Sequence, residues 1–223
     1  MLAGIIIGSI ITFLFVICII AFAIINKKNV NSRRKKGIVA EKRVNQFLSD
    51  YASKHNMTFI PSNVYAYEYE GKKKYFEIDG ILIGNDLMLV VEIKSINGTI
   101  YGDASAEKLN VKNSLSYTIK NPIVQNDVHI EHIEKIINDS FPIFSVIVLC
   151  EITRENIKFK PDHVILAKES KLKEELDSFY AAVDTKFKKI GDQKYKEVIT
   201  KIKNQVANHE DLMRFYEITK RFN

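Results

Sequence analysis

Tyr75-Phe76-Glu77-Ile78-Asp79-Gly80-Ile81-Leu82-Ile83 and Leu87-Met88-Leu89-Val90-Val91-Glu92-Ile93-Lys94-Ser95 are two runs rich in β-branched and aliphatic residues, separated by Gly84-Asn85-Asp86. Such runs around a short Gly/Asn/Asp turn predict an antiparallel hairpin. Strand side chains alternate, so Glu77 and Asp79 share a face, as do Val90, Glu92 and Lys94. A turn centred on Asn85-Asp86 sets Asp79 opposite Glu92 and Glu77 opposite Lys94. Like charges directly opposite in a sheet are unfavourable, and a charged Glu-x-Lys within an apolar strand costs burial energy unless something compensates. A divalent cation compensates, and hard oxygen ligands on adjacent strands suit Mg²⁺ or Mn²⁺ with phosphate oxygens as further ligands. A lysine two residues along the same face suits orientation or deprotonation of an attacking water and offsets charge on phosphorus. The set describes metal-assisted phosphodiester hydrolysis. A plainer alternative stays open at this point: a half-exposed sheet face with a Glu77–Lys94 cross-strand ion pair and Asp79 serving the turn before Gly80.

On the N-terminal side, Ala40, Val44, Phe47, Leu48 and Tyr51 recur at spacings of three and four, predicting an amphipathic helix from Gly37 to about His55. Phe59 to Glu70 reads as a strand with Tyr65, Tyr67 and Tyr69 on one face, turning at Glu70-Gly71-Lys72 into the hairpin. Tyrosines at that spacing pack a sheet face more often than they stack on bases, and Lys72, Lys73 and Lys74 read as a solvated turn. On the C-terminal side, Asn97-Gly98 leads to a short strand, Thr99 to Tyr101, and the polar stretch Gly102 to Asn121 reads as part strand, part loop. Pro122 opens a helix reaching about Asn138. Phe144 to Cys150 reads as a buried strand, Val164 to Leu166 as a shorter one, and helices follow from about Lys168 to Tyr180 and from about Asp192 to Arg221, broken near His209. The order predicts an α/β domain with a mixed sheet flanked by helices. No glycine-rich loop follows a strand, which disfavours P-loop or Rossmann nucleotide binding. The five histidines and two cysteines show no zinc spacing.

Farther out, Leu2 to Ile25 carry no charge, long enough to cross a hydrocarbon core of roughly 30 Å. Lys27, Lys28, Arg33, Arg34, Lys35 and Lys36 follow, with no acid among them. The expectation is a single-pass cell-membrane anchor with the remaining domain cytoplasmic, by the positive-inside rule. Gly4 and Gly8 form a small-xxx-small pair of the kind that seats helix dimers, making a homodimer a candidate assembly. Six of the 33 cations fall before residue 37 and none of the 27 acids does, so residues 37–223 carry no net charge. The basic balance is a juxtamembrane property suited to anionic head groups, not an argument for nucleic-acid binding.

Five motifs in order carry a family resemblance. Gly37-x-x-Ala40-Glu41 with Val44 and Leu48, Ile78-Asp79-Gly80, Val91-Glu92-Ile93-Lys94, Gly98-x-Ile100-x-Gly102, and Asn121-Pro122-x-x-Gln125-x-x-x-His129 resemble the nuclease-related domain family, a branch of the PD-(D/E)xK nuclease superfamily. The resemblance covers residues 37 to about 150. It implies a restriction-endonuclease-like mixed sheet, with Asp79 and Glu92 as metal ligands, Lys94 as the catalytic lysine, and Glu41 as a helix-borne acid assisting the metal or its water. It further implies Gln125 as a substrate or water contact, Mg²⁺ or Mn²⁺ as cofactor, and nucleic acid as substrate, DNA ahead of RNA. The superfamily's eponymous proline is absent, Ile78 standing before Asp79.

Each accessory residue also has a structural reading: Glu41 complements the helix macrodipole, Gln125 caps or packs, and His129 is a satisfied structural histidine. The expected organisation is an anchor over 1–26, a basic segment over 27–36, the nuclease-related domain over 37–167 and a helical extension over 168–223. The leading functional expectation is a membrane-anchored, metal-dependent nuclease. Its rival is a catalytically silent binding or sensing module that keeps the fold, motivated by the neutral domain, which must concentrate its cations locally to hold nucleic acid.

Overall fold

The hairpin forms with the expected register. Strand β2 (Lys72–Ile83) pairs antiparallel with β3 (Met88–Lys94), Gly80 opposite Val91 and Ile83 opposite Met88. The computed structural model describes residues 37–183 and 186–220. The expected membrane anchor and its basic segment, residues 1–36, lie outside the described residues. Among the described residues no helix is long and apolar enough to cross a membrane.

Helix α1 (residues 37–54) precedes β1 (Thr58–Tyr69), which pairs antiparallel with β2. On the far side of β3 the sheet turns parallel, through β7 (Ile143–Leu149) and β9 (Val164–Lys168), in the order β1-β2-β3-β7-β9. Parallel strands covered on both faces read as continuous apolar runs. In β3 every residue but Lys94 is buried.

A second sheet departs from the single mixed sheet of the sequence reading. It has the order β6-β5-β4-β8, from β4 (Gly98–Asp103), β5 (Lys108–Lys112), β6 (Ser116–Lys120) and β8 (Thr153–Lys158). The polar stretch after Gly102 hides two of these strands because one face is solvated and the apolar positions reduce to Leu109, Val111 and Ile119. β8, with Ile157 as its one buried aliphatic, is hidden in the sequence for the same reason. Gly98 and Gly102 both adopt φ near +145°, and a Cβ on Gly98 would lie 2.7 Å from the Lys112 carbonyl oxygen, so both positions require glycine.

Two cores sandwich the large sheet. On one face Ala40, Val44, Leu48 and Tyr51 of α1 meet Leu89, Val91 and Ile93 of β3, together with Leu172 and Leu176 of α3 (Leu172–Val183). On the other face Val90 and Met88 meet Ile130, Ile133 and Ile137 of α2 (Pro122–Ile137) and Val198 and Ile202 of α4 (Asp192–Asn204). A third core lies under the small sheet, where Ile100, Leu109 and Val111 meet Ile123 of α2 and Ile147 and Leu149 of β7. Tyr65 and Tyr67 are buried and stack on or edge against Phe76, as tyrosines packing a sheet face do. Residues beyond α4 close the sheet edge: Ala66 N–H donates to the Gln205 carbonyl at 2.8 Å and Ala207 N–H to the Val64 carbonyl at 2.9 Å. Helix α5 (His209–Lys220) then packs through Leu212 and Phe215 against Val64 and Ala66. A covered edge removes a template for pairing with other chains.

Candidate active site

The β2–β3 ladder stops at Gly80–Val91, one residue pair short of Asp79 and Glu92. Beyond that point β2 stays with β1 as far as Tyr69–Lys72, while β3 stays with β7 as far as Lys94–Leu149. The two strands therefore diverge where the carboxylates stand. Asp79 Oδ2 accepts the Ile93 backbone N–H at 2.7 Å, replacing the ladder hydrogen bond that the divergence removes.

Glu92 is 3% exposed in an otherwise apolar strand. Its Oε1 is ion-paired with Lys94 Nζ, and the same ammonium donates to Gln125 Oε1 at 3.2 Å. Lys94 thus pairs with Glu92 and not with Glu77, and the plainer cross-strand pairing is not found. Gln125 Nε2 lies 3.5 Å from His129 Nε2, which in turn is 3.8 Å from Glu92 Oε2. The resulting ring of Glu92, Lys94, Gln125 and His129 joins β3 to α2. The i, i+4 spacing of Gln125 and His129 puts both on one side of the helix.

Helix α2 is aimed at this point by its ends. Asn121, fully buried, caps it by accepting the Ile123 N–H at 3.0 Å, and Pro122 sits at the first helical position. The Asn121 amide also donates to the carbonyls of Ala104 at 2.8 Å and Ala106 at 2.7 Å, tying the helix start to the small sheet. One turn on, buried Asn126 donates to the Val90 carbonyl and to Ser145 Oγ, both at 2.8 Å. Sequence reasoning missed Asn126 as a positioning residue. The signal was present, since it falls on the buried stripe with Ile123, Ile130 and Ile133.

Burial dominates the electrostatics. It pushes the Glu92 carboxyl up to about 7, the nearby Asp79 charge adding to it and Lys94 opposing. Burial also raises Asp79, against the Ile93 hydrogen bond and Lys94, which lower it. Glu41, reaching in from α1, is raised by burial and then by Asp79, while Lys94 opposes. Glu77 is raised by burial, Asp79 and Glu41. Glu92 is buried, Glu41 and Asp79 are half-buried and Glu77 is exposed, and Lys94 is the cation that lowers Glu41, Asp79 and Glu92. His129 is depressed to about 4, first by burial and then by the neighbouring His132, Lys120 and Lys94, and stays neutral at pH 7. Among the described residues its Nδ1 is buried without a hydrogen-bond partner.

Among the described residues no three His, Cys, Asp or Glu side chains stand together as a preformed metal cage. Mg²⁺ does not call for one: it is held by one or two carboxylates, waters and substrate phosphates. Half-buried Asp79 and buried Glu92 both offer hard oxygen ligands and fit that requirement.

A family model for the nuclease-related domain matches residues 36–150 of the 223, the stretch that spans α1 through β7. The chain belongs to the nuclease-related domain family. An uncharacterized protein of Bacillus anthracis is 32% identical over 136 residues, which are 58% of this chain. The chain spans 61% of that relative's length. The nuclease-related domain match ends at Cys150, so the divergent strands, α2 and the residues of the ring all fall inside it, whereas β8, β9 and the C-terminal helices lie beyond.

Proposed function

We propose that this chain is a metal-dependent nuclease, hydrolysing phosphodiester bonds of DNA or RNA at the divergence of β2 and β3, in a restriction-endonuclease-like arrangement. The observation that carries this reading is buried Glu92 ion-paired with Lys94 beside half-buried Asp79 and Glu41, whose charges act on one another and on that lysine. Folding tolerates such a cluster when the charge deficit is met by a bound cation or put to chemical use. Asp79 and Glu92 would hold the metal, with Glu41 assisting from α1. A divalent cation there supplies Lewis-acid polarisation of the scissile phosphate and a more acidic water.

The chain's own residues do the rest. Lys94 Nζ, fixed between Glu92 and Gln125, orients the attacking water and offsets charge on the phosphate oxygens as the new P–O bond forms and the old one breaks. Gln125 holds Lys94 in place and offers its amide to water or substrate. Neutral His129 backs Gln125 without adding a second cation beside Lys94. The membrane anchor over residues 2–25 would present this centre on the cytoplasmic face.

The test is cleavage of labelled single- and double-stranded DNA and RNA by the full-length chain in Mg²⁺ and in Mn²⁺. Wild type is expected to cut, Asp79→Ala to lose cutting altogether, and Lys94→Ala to fall by on the order of 10²-fold or more. Cutting that survives Asp79→Ala would sink the assignment. A silent binding module is the second reading, favoured by the engagement of Glu92 with Lys94 and of Asp79 with the Ile93 N–H. It predicts nucleic-acid binding without turnover in wild type.

A further inference from the structure

The solvent face of the small sheet has no role in the centre described above. Ladder partners share a face, so the pairs Thr99–Lys112 and Thr99–Arg154, Tyr101–Asn110 and Tyr101–Asn156, and Asp103–Lys158 with Lys108–Lys120 line up as three rows. The opposite face holds the buried Ile100, Leu109, Val111 and Ile157, which leaves these rows outward. Lys108, Lys112, Lys120, Arg154 and Lys158 are all exposed, and among the described residues none lies within ion-pair distance of a carboxylate. The face carries one acid, Asp103, whose carboxylate is occupied by the Ser105 N–H at 2.9 Å and hydroxyl at 2.7 Å. Glu155 shares the parity of buried Ile157 and binds its N–H at 3.0 Å. Five cations without an ion pair and one occupied acid therefore stand together on one sheet face.

Between the two cationic rows stands Tyr101, 36% exposed on the middle row among asparagines. At about 3.3 Å per residue the outer rows lie roughly 7 Å to either side of it. An aromatic platform flanked by cations is the arrangement that holds a single strand without reading its sequence: a base stacks on the ring while phosphates meet the cations. Lys120 ends β6 and directly precedes Asn121, the cap of the helix whose Gln125 contacts Lys94. The row that ends in Lys120 thus meets the start of that helix.

We infer that the outer face of the β6-β5-β4-β8 sheet is a docking surface for single-stranded nucleic acid, with Tyr101 as base-stacking residue and Lys108, Lys112, Lys120, Arg154 and Lys158 as phosphate contacts. The inference deepens the nuclease reading by naming its substrate class, and it rests on that reading only for the link between docking and cleavage.

The test is fluorescence anisotropy of a labelled oligo-dT strand with the full-length chain in detergent and EDTA, so that binding is read without cleavage. Every variant keeps residues 27–36, so the contribution of that basic segment is constant. Tyr101→Ala is expected to weaken binding at least fivefold and Tyr101→Phe to restore it. The triple variant K112A/R154A/K158A is expected to weaken binding at least 30-fold and to reduce the slope of log K against log salt by about two. Asp79→Ala should bind as wild type does while losing cleavage, which separates failure of docking from failure of the nuclease reading. Cleavage with unchanged binding in both face variants would overturn the inference and leave the nuclease reading standing. Equal affinity for duplex, insensitive to Tyr101→Ala, would also overturn it. So would loss of binding to phosphatidylserine vesicles in the triple variant with oligo-dT binding unchanged, which would assign the face to a membrane surface.

Discussion

Glu92 concentrates the cost of the site in one side chain. Its folded carboxyl stands near 7 against an ordinary 4.5 when exposed, because burial outweighs the help of Lys94. A raised acid stabilises the fold below the unfolded value and loses that contribution as pH rises through the folded value. The metal-free protein should therefore lose roughly 2–3 kcal/mol between pH 4.5 and 7.5 from this group. Glu92→Gln should be more stable than wild type by about that amount at pH 8, with the gain vanishing near pH 4.5. Urea unfolding of both proteins across that range in EDTA checks it, and a gain that grows toward low pH would contradict it. His129 acts with the opposite dependence: depressed to about 4, it contributes stability above pH 6.5 that is lost as pH falls toward 4. Much of this was legible beforehand. Alternation and turn position give the register observed from Ile83–Met88 to Gly80–Val91, while the expected Asp79–Glu92 pair is not formed. What strand periodicity does not contain is the divergence of β2 from β3 at that pair, since alternation describes faces and says nothing of where a ladder ends. The contact of Lys94 with Glu92 and Gln125 in place of Glu77 follows from that divergence.

Helix α2 connects the element scale to the site, because its start is bolted to one sheet and its body to the other. Asn121→Ala removes the cap of the Ile123 N–H and strands the carbonyls of Ala104 and Ala106. A lost cap costs about 1 kcal/mol and each unsatisfied buried acceptor about 1–3 kcal/mol, so the variant should lose about 3 kcal/mol or more. Asn121→Asp keeps the cap acceptor while losing both amide donations, and should fall between. Equilibrium denaturation measures both, and a loss under about 0.5 kcal/mol for Asn121→Ala would show that the cap does not anchor the helix. The helix itself was readable from Asn121-Pro122 and the isoleucine spacing, and its observed bounds match that reading. The small sheet was not, because its strands alternate polar and apolar over only five or six residues and three of the four carry a fully solvated outer face. Short amphipathic strands leave too few apolar positions to stand out from loop.

On the scale of the whole molecule, the C-terminal helices contribute to the same cores as the site. Val198 and Ile202 of α4 are 2% and 0% exposed within the α2-side core, and residues 205–207 cover the edge of β1. Burying two such aliphatics contributes about 3–6 kcal/mol, a large part of the 5–15 kcal/mol that holds an ordinary domain together. Removing residues 192–220 should thus lower the thermal midpoint by about 10 °C or more and expose β1 to aggregation. An unchanged midpoint, read by circular dichroism, would show the helices to be separable. Periodicity revealed these helices and their break near His209 but not where they dock, since packing partners far apart in the chain leave no local trace. The central claim, that Asp79 and Glu92 form a divalent-cation site, is tested most directly by calorimetric titration of Mn²⁺ into the full-length chain at pH 6.5 in buffers of different ionisation enthalpy. Saturable binding with proton release is expected in wild type, because carboxyls raised by burial must ionise to ligate. Asp79→Ala and Glu92→Ala are each expected to abolish the binding. No saturable heat in wild type, or the same heat in both variants, would contradict it.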